Sequence, residues 1–370
     1  MHSILCLAYG GVQVLTLNVE KRIQEEYSFI YLIDYSNKKD KEFIEANNLN
    51  YKTLNICEKS SFILKAWRLF WFTYRSLKQL RPQIYHINDT YAGTALVRLT
   101  AARLAGIKTV VHSHQSFPGD YLRKMKRSRV IANRALGIIL SLLSDQLVAC
   151  SKQAADWMFG YNNTNKLTIV KNGINLNKFV FCADSRERTR NKLGIDKRDY
   201  VIGHVGRFDE QKNHKMLIEI FATMQRNRQN LKLLLIGNGD LFDTVYSQII
   251  AENMIEKVII IKETREVEQY LCAMDLFLFP SLYEGFGIAA IEAQVSGLVC
   301  MLSNAVPDEA VISKRASIIN NKDPVTWIRQ ALIHVARGFY SRNVDIRQFE
   351  LFSIEHTANS YKDIYRRVLF

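Results

Sequence analysis

The chain has 370 residues, with 50 lysines and arginines against 36 aspartates and glutamates, so its formal net charge is +14. This length suits two domains, and a content of 48% hydrophobic and 23% charged residues is that of a globular protein, without the repeats of a solenoid. The six scattered cysteines form no CxxC pair, which excludes a zinc knuckle, and the positive charge favours an anionic partner without identifying it.

Short apolar segments alternate with amphipathic ones along the chain, a pattern that predicts parallel sheets with helical crossovers. In the first half, the predicted strands are Ser28–Ile33, Gln83–Ile87, Lys108–His112 and Gln146–Ala149. The segment Phe62–Leu80 is predicted to be a helix rich in aromatic residues. In the second half, the predicted strands are Tyr200–His204, Leu231–Ile236, Val258–Ile261, Leu276–Phe279 and Val299–Leu302.

A turn signal at Asn172-Gly173 divides the two halves. We predict an N-terminal domain of residues 1–175, completed by a final helix over 352–370, and a second domain of residues 176–351. The expected fold class is α/β, with two Rossmann-like domains facing each other across a cleft. Ligands of such open sheets bind at the carboxyl ends of the strands.

The most informative segment is PSLYEGFGIAAIEAQVSG, which follows a predicted strand and opens a helix. Glycines before a helix let the backbone approach a ligand, and the first helical N–H groups attract phosphate. The carboxylates of Glu284 and Glu292 can accept hydrogen bonds from vicinal hydroxyls, which suits a sugar ring and a ribose. An acidic residue near a helix start also has a purely electrostatic explanation, but this leaves the two glycines around Phe286 unexplained.

The second segment is GHVGRFDEQKNH, in which a strand ends near Gly206 and is followed by Arg207 and Lys212. Two cations beside a helix start can form a diphosphate site and stabilise the charge of a leaving nucleotide diphosphate. The alternative is that both are solvated surface charges, which is the usual environment of arginine and lysine.

These motifs resemble those of glycosyltransferase family 4, whose E-x7-E motif matches EGFGIAAIE and whose Arg and Lys segment matches VGRFDEQKNH. The chain is also similar to bacterial capsule and exopolysaccharide transferases in HSHQS, ACSKQAADWMFG, VKNGIN and FPSLYEGFGIAAIEAQVSGL. The resemblance extends over most of the chain in conserved motif order, and it implies the GT-B fold of two Rossmann-like domains.

The resemblance implies catalytic roles for four residues. Arg207 and Lys212 would hold the donor diphosphate, and Glu284 would hold hydroxyls of the transferred sugar. His114 would lie beside the reacting carbon, with His112 as the alternative for that role.

Further residues would bind the donor by the same resemblance. Glu292 would bind the ribose, the backbone of residues 286–288 would meet the phosphates, and the turn at 238–239 would close around the nucleotide. The N-terminal glycine pair would lie under the donor and near the acceptor. The complete set of implied donor-binding residues is Glu292, Gly10, Gly11, Gly206, Asn238, Gly239, Arg265, Phe286, Gly287 and Ile288.

The activity implied by the resemblance is transfer of a hexose or N-acetylhexosamine (EC 2.4) with retention of anomeric configuration. The donor would be a nucleotide-diphosphate sugar, UDP-linked in this family, which is a substrate, and no cofactor is expected. The chain contains no Asp-x-Asp pair, so we expect a metal-independent enzyme that uses Arg207 and Lys212 as its cations. The acceptor would be a saccharide or undecaprenyl-linked oligosaccharide in capsule, exopolysaccharide or O-antigen synthesis.

Three alternatives belong to other classes. A catalytically silent GT-B subunit of a polysaccharide-synthesis complex would be expected to have lost Glu284, Arg207 or Lys212, and all three are present. A nucleic-acid-binding protein would group its basic residues with stacking aromatics, and no such module is evident, so we expect no nucleic acid as partner. A nucleotide-sugar epimerase lacks the E-x7-E motif.

The sequence predicts a cytoplasmic protein, since no apolar run reaches the ~18 residues of a membrane span and the N-terminus lacks a signal peptide's basic region. The segment from Arg123 to Arg129, RKMKRSR, has five basic residues in seven. Together with the aromatic helix Phe62–Leu80, this segment predicts peripheral binding at an anionic inner membrane surface. The alternative is that the helix belongs to the core and the basic segment is a solvated loop.

Overall fold

A computed structural model of the chain describes residues 1–4, 11–34, 44–45, 47–54, 61–116, 126–160 and 165–370. These residues form two compact units, Met1–Ile174 with Leu351–Phe370 and Asn175–Glu350. The predicted site residue Gly10 and residues 123–125 of the basic segment lie outside the described residues.

The first unit contains a seven-stranded sheet in which every pair of neighbouring strands is parallel. Its strands are β1 (His2–Ile4), β2 (Tyr31–Ile33), β3 (Tyr51–Thr53), β4 (Ile84–Asp89), β5 (Lys108–Ser113), β6 (Gln146–Ala149) and β7 (Leu167–Ile169). Their spatial order is β3-β2-β1-β4-β5-β6-β7. The helices described between them are α1 (Gly11–Ile23), α2 (Phe62–Leu80), α3 (Ala92–Ala105), α4 (Arg127–Leu143) and α5 (Lys152–Phe159).

The second unit repeats this architecture with a six-stranded parallel sheet. Its strands are β8 (Tyr200–Val205), β9 (Leu231–Ile236), β10 (Val258–Ile261), β11 (Leu276–Phe279), β12 (Val299–Ser303) and β13 (Ala316–Ile319). The spatial order is β10-β9-β8-β11-β12-β13. Its helices are α6 (Leu176–Phe179), α7 (Ala183–Lys192), α8 (His214–Asn227), α9 (Phe242–Ala251), α10 (Val267–Ala273), α11 (Ile288–Val295) and α12 (Pro324–Arg337). The predicted fold class, with two Rossmann-like domains, is confirmed.

The last helix, α13 (Ile354–Leu369), belongs to the first unit. The Ser353 hydroxyl caps this helix by accepting from the His356 N–H at 3.0 Å. Backbone hydrogen bonds of 2.9 Å join Ile174 to Phe352 and Ile354, so the chain enters the helix beside the end of the first unit. The buried face of α13 then packs into the same hydrophobic core as α1 and the sheet.

Helices cover both faces of the first sheet. Tyr85 and His86 are neighbours in β4, and successive side chains of a strand point to opposite faces. The Tyr85 hydroxyl accepts from Arg98 of α3 at 3.4 Å, whereas His86 contacts Tyr365 of α13 at 2.9 Å. The face under α13 therefore combines apolar core side chains with buried histidines.

No helix within the described ranges is both long and apolar enough to cross a membrane.

Two glycines of the second unit differ in what an added side chain would cost: at one only backbone strain, at the other steric crowding as well. Gly237, with φ +145°, follows β9, and a Cβ there would lie 2.0 Å from the Gly206 carbonyl oxygen. Gly194, with φ +64°, has no atom within 4 Å of an added Cβ.

We predict that Gly194→Ala costs about 1 kcal/mol of unfolding free energy, from strain alone, and that Gly237→Ala costs distinctly more. Urea unfolding of both variants measures the difference, and equal losses would contradict the crowding.

Candidate active site

The loop after β8 is shaped by its own polar side chains. A carboxylate oxygen of Asp209 accepts from the Lys212 backbone N–H at 3.2 Å and caps a short 3₁₀ turn over Glu210–Lys212. Asn213 then adopts a left-handed conformation, with φ +54°, and the chain enters α8. Asparagine tolerates this conformation better than most residues do. The turn therefore places Lys212 close to the carboxyl end of the second sheet.

Three hydrogen bonds hold this loop against the segment after β11. The Leu282 N–H donates to the Gln211 carbonyl at 2.7 Å, and the Gln211 amide donates to the Tyr283 carbonyl at 2.9 Å. The Asn213 amide donates to the Pro280 carbonyl at 3.2 Å. Because β8 and β11 are neighbours in the sheet, both loops begin at the same edge.

Lys212 and Glu284 meet where the two loops join. Lys212 Nζ lies 2.5 Å from Glu284 Oε1, and the side chains are only 15% and 6% exposed. The same ammonium group lies 4.6 Å from the ring centroid of Phe279, a favourable cation–π distance. Two residues predicted from separate motifs thus form one buried ion pair, in which each charge compensates the other.

Arg207 has a different environment from Lys212. Its side chain is 68% exposed, and Arg207 Nε lies 3.7 Å from a carboxylate oxygen of Asp209. An exposed guanidinium with a long ion-pair contact is accessible to an anion in the solvent.

Steric crowding explains the glycines of this edge. A Cβ on Gly206 would lie 2.9 Å from the side-chain atoms His204 Nε2 and Lys212 Cγ, and a Cβ on Gly239 would lie 2.5 Å from the Phe208 carbonyl oxygen. The turn that contains Asn238 is held in place because its carbonyl accepts from the Phe208 N–H at 3.0 Å. Gly206 thus leaves room for the Lys212 side chain, and Gly239 lets the loops after β8 and β9 pack backbone against backbone.

The N-terminus of α11 has backbone N–H groups that no side chain caps. Gly287 is left-handed, with φ +85°, and its position at the helix N-cap supplies no side-chain cap. Ile288 is the first helical residue, and the Phe286 ring is buried. The helix end therefore offers N–H groups and a partial positive charge, the usual features of an anion site.

Glu292 belongs to α11 but has a separate electrostatic environment. Burial raises the pKa of its carboxyl to about 8; Lys178 opposes this shift, and Glu268 adds to it. Lys178 Nζ lies 3.1 Å from Glu268 and donates to the Arg265 carbonyl at 2.9 Å. The structure thus brings Arg265 near this group through its backbone, while its side chain is exposed. Lys178 and Glu268 carry no sequence signal that would have identified them.

The remaining predicted residues that the structure describes belong to the first unit. Gly11 begins α1, and His114 follows β5 with Nε2 2.8 Å from the side-chain oxygen of Asn88. Burial lowers the pKa of His114 to about 3 and holds that of His112 well below its usual value, so both rings are neutral at pH 7. Asn88 was not predicted, because an asparagine at a strand end has no distinguishing pattern.

Two Rossmann-like units, each with a parallel sheet, are the architecture of the GT-B class, and the second carries an uncapped helix start at the carboxyl edge of its sheet. Residues 9–178 match the family model described as Glycosyltransferase Family 4, and residues 185–327 match Glycosyl transferases group 1. The chain belongs to the glycosyltransferases, with a family 4 domain followed by a group 1 domain. The resemblance predicted from the motifs is confirmed.

Individual proteins show the same likeness. EpsF of Bacillus subtilis (strain 168), which bears a glycosyltransferase name, is 29% identical over 84% of this chain and 80% of its own length. The Escherichia coli UDP-Gal:alpha-D-GlcNAc-diphosphoundecaprenol alpha-1,3-galactosyltransferase is 24% identical over 98% of this chain and 95% of its own. The structure of Anabaena Alr3699/HepE in complex with UDP and glucose has a TM-score of 0.78 at 14% identity, covering 98% and 97% of the two chains. That last likeness shows the shared fold.

The raised pKa of Glu292 gives a testable pH dependence of stability. The folded state holds a proton on this carboxyl up to about pH 8, whereas an unfolded glutamate releases it near pH 4.3. The free energy of unfolding attributable to this group therefore falls as pH rises between these values. We predict that Glu292→Gln, which cannot ionise, gains stability relative to the native protein from pH 5.5 to pH 8.5.

Urea unfolding at several pH values measures this difference. The exposed Glu219 of α8 supplies the control variant, Glu219→Gln, for which the difference should stay constant. Parallel stability curves for the native protein and Glu292→Gln would contradict the assigned environment.

Proposed function

We propose that this chain transfers a hexose or N-acetylhexosamine from a UDP-sugar to a saccharide acceptor, with retention of configuration and without a metal ion. The acceptor is lipid-linked, and the product belongs to a capsule, exopolysaccharide or O-antigen. The single observation that carries the proposal is the buried Lys212–Glu284 pair at the carboxyl edge of the second sheet.

Each part of a sugar nucleotide has a complementary group at this edge. When the sugar leaves, negative charge grows on the diphosphate, and Lys212 and the exposed Arg207 supply two positive charges to stabilise it. The uncapped N-terminus of α11 adds its N–H groups. Glu284 accepts hydrogen bonds from sugar hydroxyls, and this contact draws its carboxylate away from Lys212 as the diphosphate arrives.

The choice of UDP and of the acceptor has comparative support. The E. coli relative is named for a UDP-galactose donor and a diphosphoundecaprenol acceptor, and the Anabaena neighbour was solved with UDP. A donor diphosphate held by cations of the protein needs no bridging metal, which supports metal independence.

We predict that one UDP-sugar raises the melting temperature equally in magnesium and in EDTA, because a ligand bound only by the folded state stabilises it. Lys212→Gln should lose that shift and lower kcat by about 100-fold or more, as expected for removal of one charge-stabilising donor. Glu284→Gln should retain the shift with UDP alone but lose sugar transfer.

The fully exposed Arg198 provides a control variant, Arg198→Gln, which should match the native enzyme. Circular dichroism confirms folding of each variant, and NMR of the product reports its anomeric configuration. A shift without any transfer would favour the silent GT-B subunit, and native turnover in Glu284→Gln would overturn the site assignment.

The first unit has a surface suited to an anionic membrane. Large apolar side chains are exposed on α2 and α4; for example, Ile63 is 80% and Trp67 59% exposed. Both helices pack against α3 and also carry exposed basic residues. The exposed basic residues are Arg68, Arg75, Lys78, Arg127, Arg129 and Arg134. Apolar and basic side chains on one helical layer favour peripheral binding to anionic lipid, where the lipid-linked acceptor would be found.

We predict that the protein sediments with vesicles containing anionic lipid at low salt and is released by high salt, since screening weakens the basic contribution. The double variant Ile63→Ser/Trp67→Ser should bind several-fold more weakly. The control is Val325→Ser/Ile333→Ser on α12 of the second unit, which removes two exposed apolar side chains elsewhere. Equal sedimentation of both double variants would contradict the assignment of this surface.

A further inference from the structure

A cavity of about 550 Å³ lies at the amino edge of the second sheet, opposite the edge that carries Lys212 and Glu284. Asp275 directly precedes β11 and Val299 begins β12, so both line the cavity where these parallel strands start. Its other walls are one face of α7 and the segment that follows α12. All of these residues belong to the second unit, and the volume is in the range of small-molecule sites.

Three arginines of this cavity share one carboxylate. Arg186 and Arg190 lie one turn apart on α7, so their side chains are on the same face. Arg186 Nη2 lies 2.6 Å from one oxygen of Asp275, and Arg190 Nη1 lies 3.2 Å from the other. Arg342 comes from the segment after α12, and its four hydrogen bonds to described residues all end on carbonyl or hydroxyl oxygens. The guanidinium of Arg342 is therefore held by neutral groups.

The simplest explanation of these arginines is that they cap the C-terminal end of α10. Arg186 alone donates to the carbonyls of residues 272–274 at 2.9–3.3 Å. A helix C-terminus, however, supplies only about half a negative charge. The residues that line the cavity include four cations and two carboxylates, so about one and a half positive charges remain after the helix end is counted. The helix end explains how the arginines are held but not how many there are.

Part of this excess charge is buried. Arg190 is only 6% exposed, and the Arg186 side chain is 22% exposed. Burial lowers the pKa of Arg342 to about 10 and lowers that of Arg190 as well. Both groups remain charged at pH 7, but their charges are destabilised by the loss of water around them. A bound anion would compensate the charge that the protein leaves unbalanced.

Aromatic rings orient two of the three guanidinium groups. The Arg342 guanidinium lies 4.7 Å from the ring centroid of Phe181, and that of Arg186 lies 5.6 Å from the ring centroid of Phe339. Both distances are those of cation–π contacts, which restrict the positions of a guanidinium. The planar fork of an arginine matches the oxygens of a phosphate. Two such forks, fixed on different walls, therefore suit a phosphate group between them.

We propose that this cavity binds a small organic phosphate, with the phosphate group held by Arg186 and Arg342. At pH 7 a phosphate monoester carries a charge of about −1.5 to −2, which balances the excess, whereas a single carboxylate does not. A phosphate group fills only a small part of the cavity, so the remaining volume takes the organic part of the ligand. The cavity is separate from the candidate active site, and this inference does not rest on the proposed function.

Calorimetric titration of the full chain at low salt tests the proposal directly. The probes are ribose 5-phosphate and AMP, with inorganic phosphate as the reference. At least one of the two esters should bind more tightly than inorganic phosphate. Binding of ribose 5-phosphate as tight as that of AMP assigns the site to sugar phosphates, and tighter binding of AMP assigns it to nucleotides. Binding of neither ester, or equal affinity for inorganic phosphate, overturns the proposal.

Three variants locate the bound ester. Arg186→Gln should weaken its binding by about tenfold or more, because a hydrogen bond to a charged group is lost. Arg190 still pairs with Asp275 in this variant. The matched control is Arg188→Gln, which removes the same charge from an exposed position of α7 that does not line the cavity. Lys212→Gln should bind the ester as the native protein does.

Circular dichroism confirms that each variant is folded. Equal affinities of Arg186→Gln and Arg188→Gln overturn the assignment. So does binding that is lost in Lys212→Gln but kept in Arg186→Gln, because the ester would then occupy the carboxyl edge of the sheet. The titrations measure binding alone, so their result stands whether or not the protein transfers sugar.

Discussion

The second unit is organised around a lysine and a glutamate that are 72 residues apart in the chain and 2.5 Å apart in space. Removing one partner of a largely buried ion pair is destabilising, so Lys212 and Glu284 stabilise each other in this position. Their contact depends on the loops after β8 and β11 lying side by side, which requires those strands to be neighbours. An arriving diphosphate would give Lys212 a second anionic partner, so the pair balances charge before and after binding.

The two sheets use the same topological device for different chemistry. In each, the strand order reverses between two central strands, β1 and β4 in the first sheet and β8 and β11 in the second. The second sheet gathers Lys212, Glu284 and the crowded glycines after the strands on either side of that point. The first sheet has Asn88 near the carboxyl end of β4 and His114 just after β5, on one side of its reversal. Cations and backbone N–H groups suit phosphates, whereas neutral imidazoles suit hydroxyls.

Sequence patterns predicted the strands with continuous apolar runs well and the short or mixed strands poorly. Leu231–Ile236, Val258–Ile261 and Leu276–Phe279 have the predicted bounds because continuous apolar runs end at turn residues. The predicted strand Ser28–Ile33 begins three residues before the observed one at Tyr31. Four observed strands were not among the predicted ones: β1, β3, β7 and β13, of which all but β1 are edges of their sheets. An edge strand is covered on fewer sides than an interior one, so its sequence mixes polar and apolar residues. Such a sequence resembles that of a loop, and only pairing with a neighbouring strand distinguishes the two.

The site could be predicted where a motif fixes chemistry locally, and not where partners come from distant strands. Resemblance to family motifs pointed to Lys212 and Glu284 but could not show their pairing. Asn88, His2 and His86 have no local signal, since their contacts depend on strand register and on the return of α13. Within the described part of the chain, His2 and His86 have partners at both ring nitrogens, whereas His112 and His114 each have one nitrogen without a partner. An unpaired buried polar group costs about 1–3 kcal/mol. This cost falls on the two rings nearest the carboxyl end of β5, and it depends on contacts that no local pattern of residues could predict.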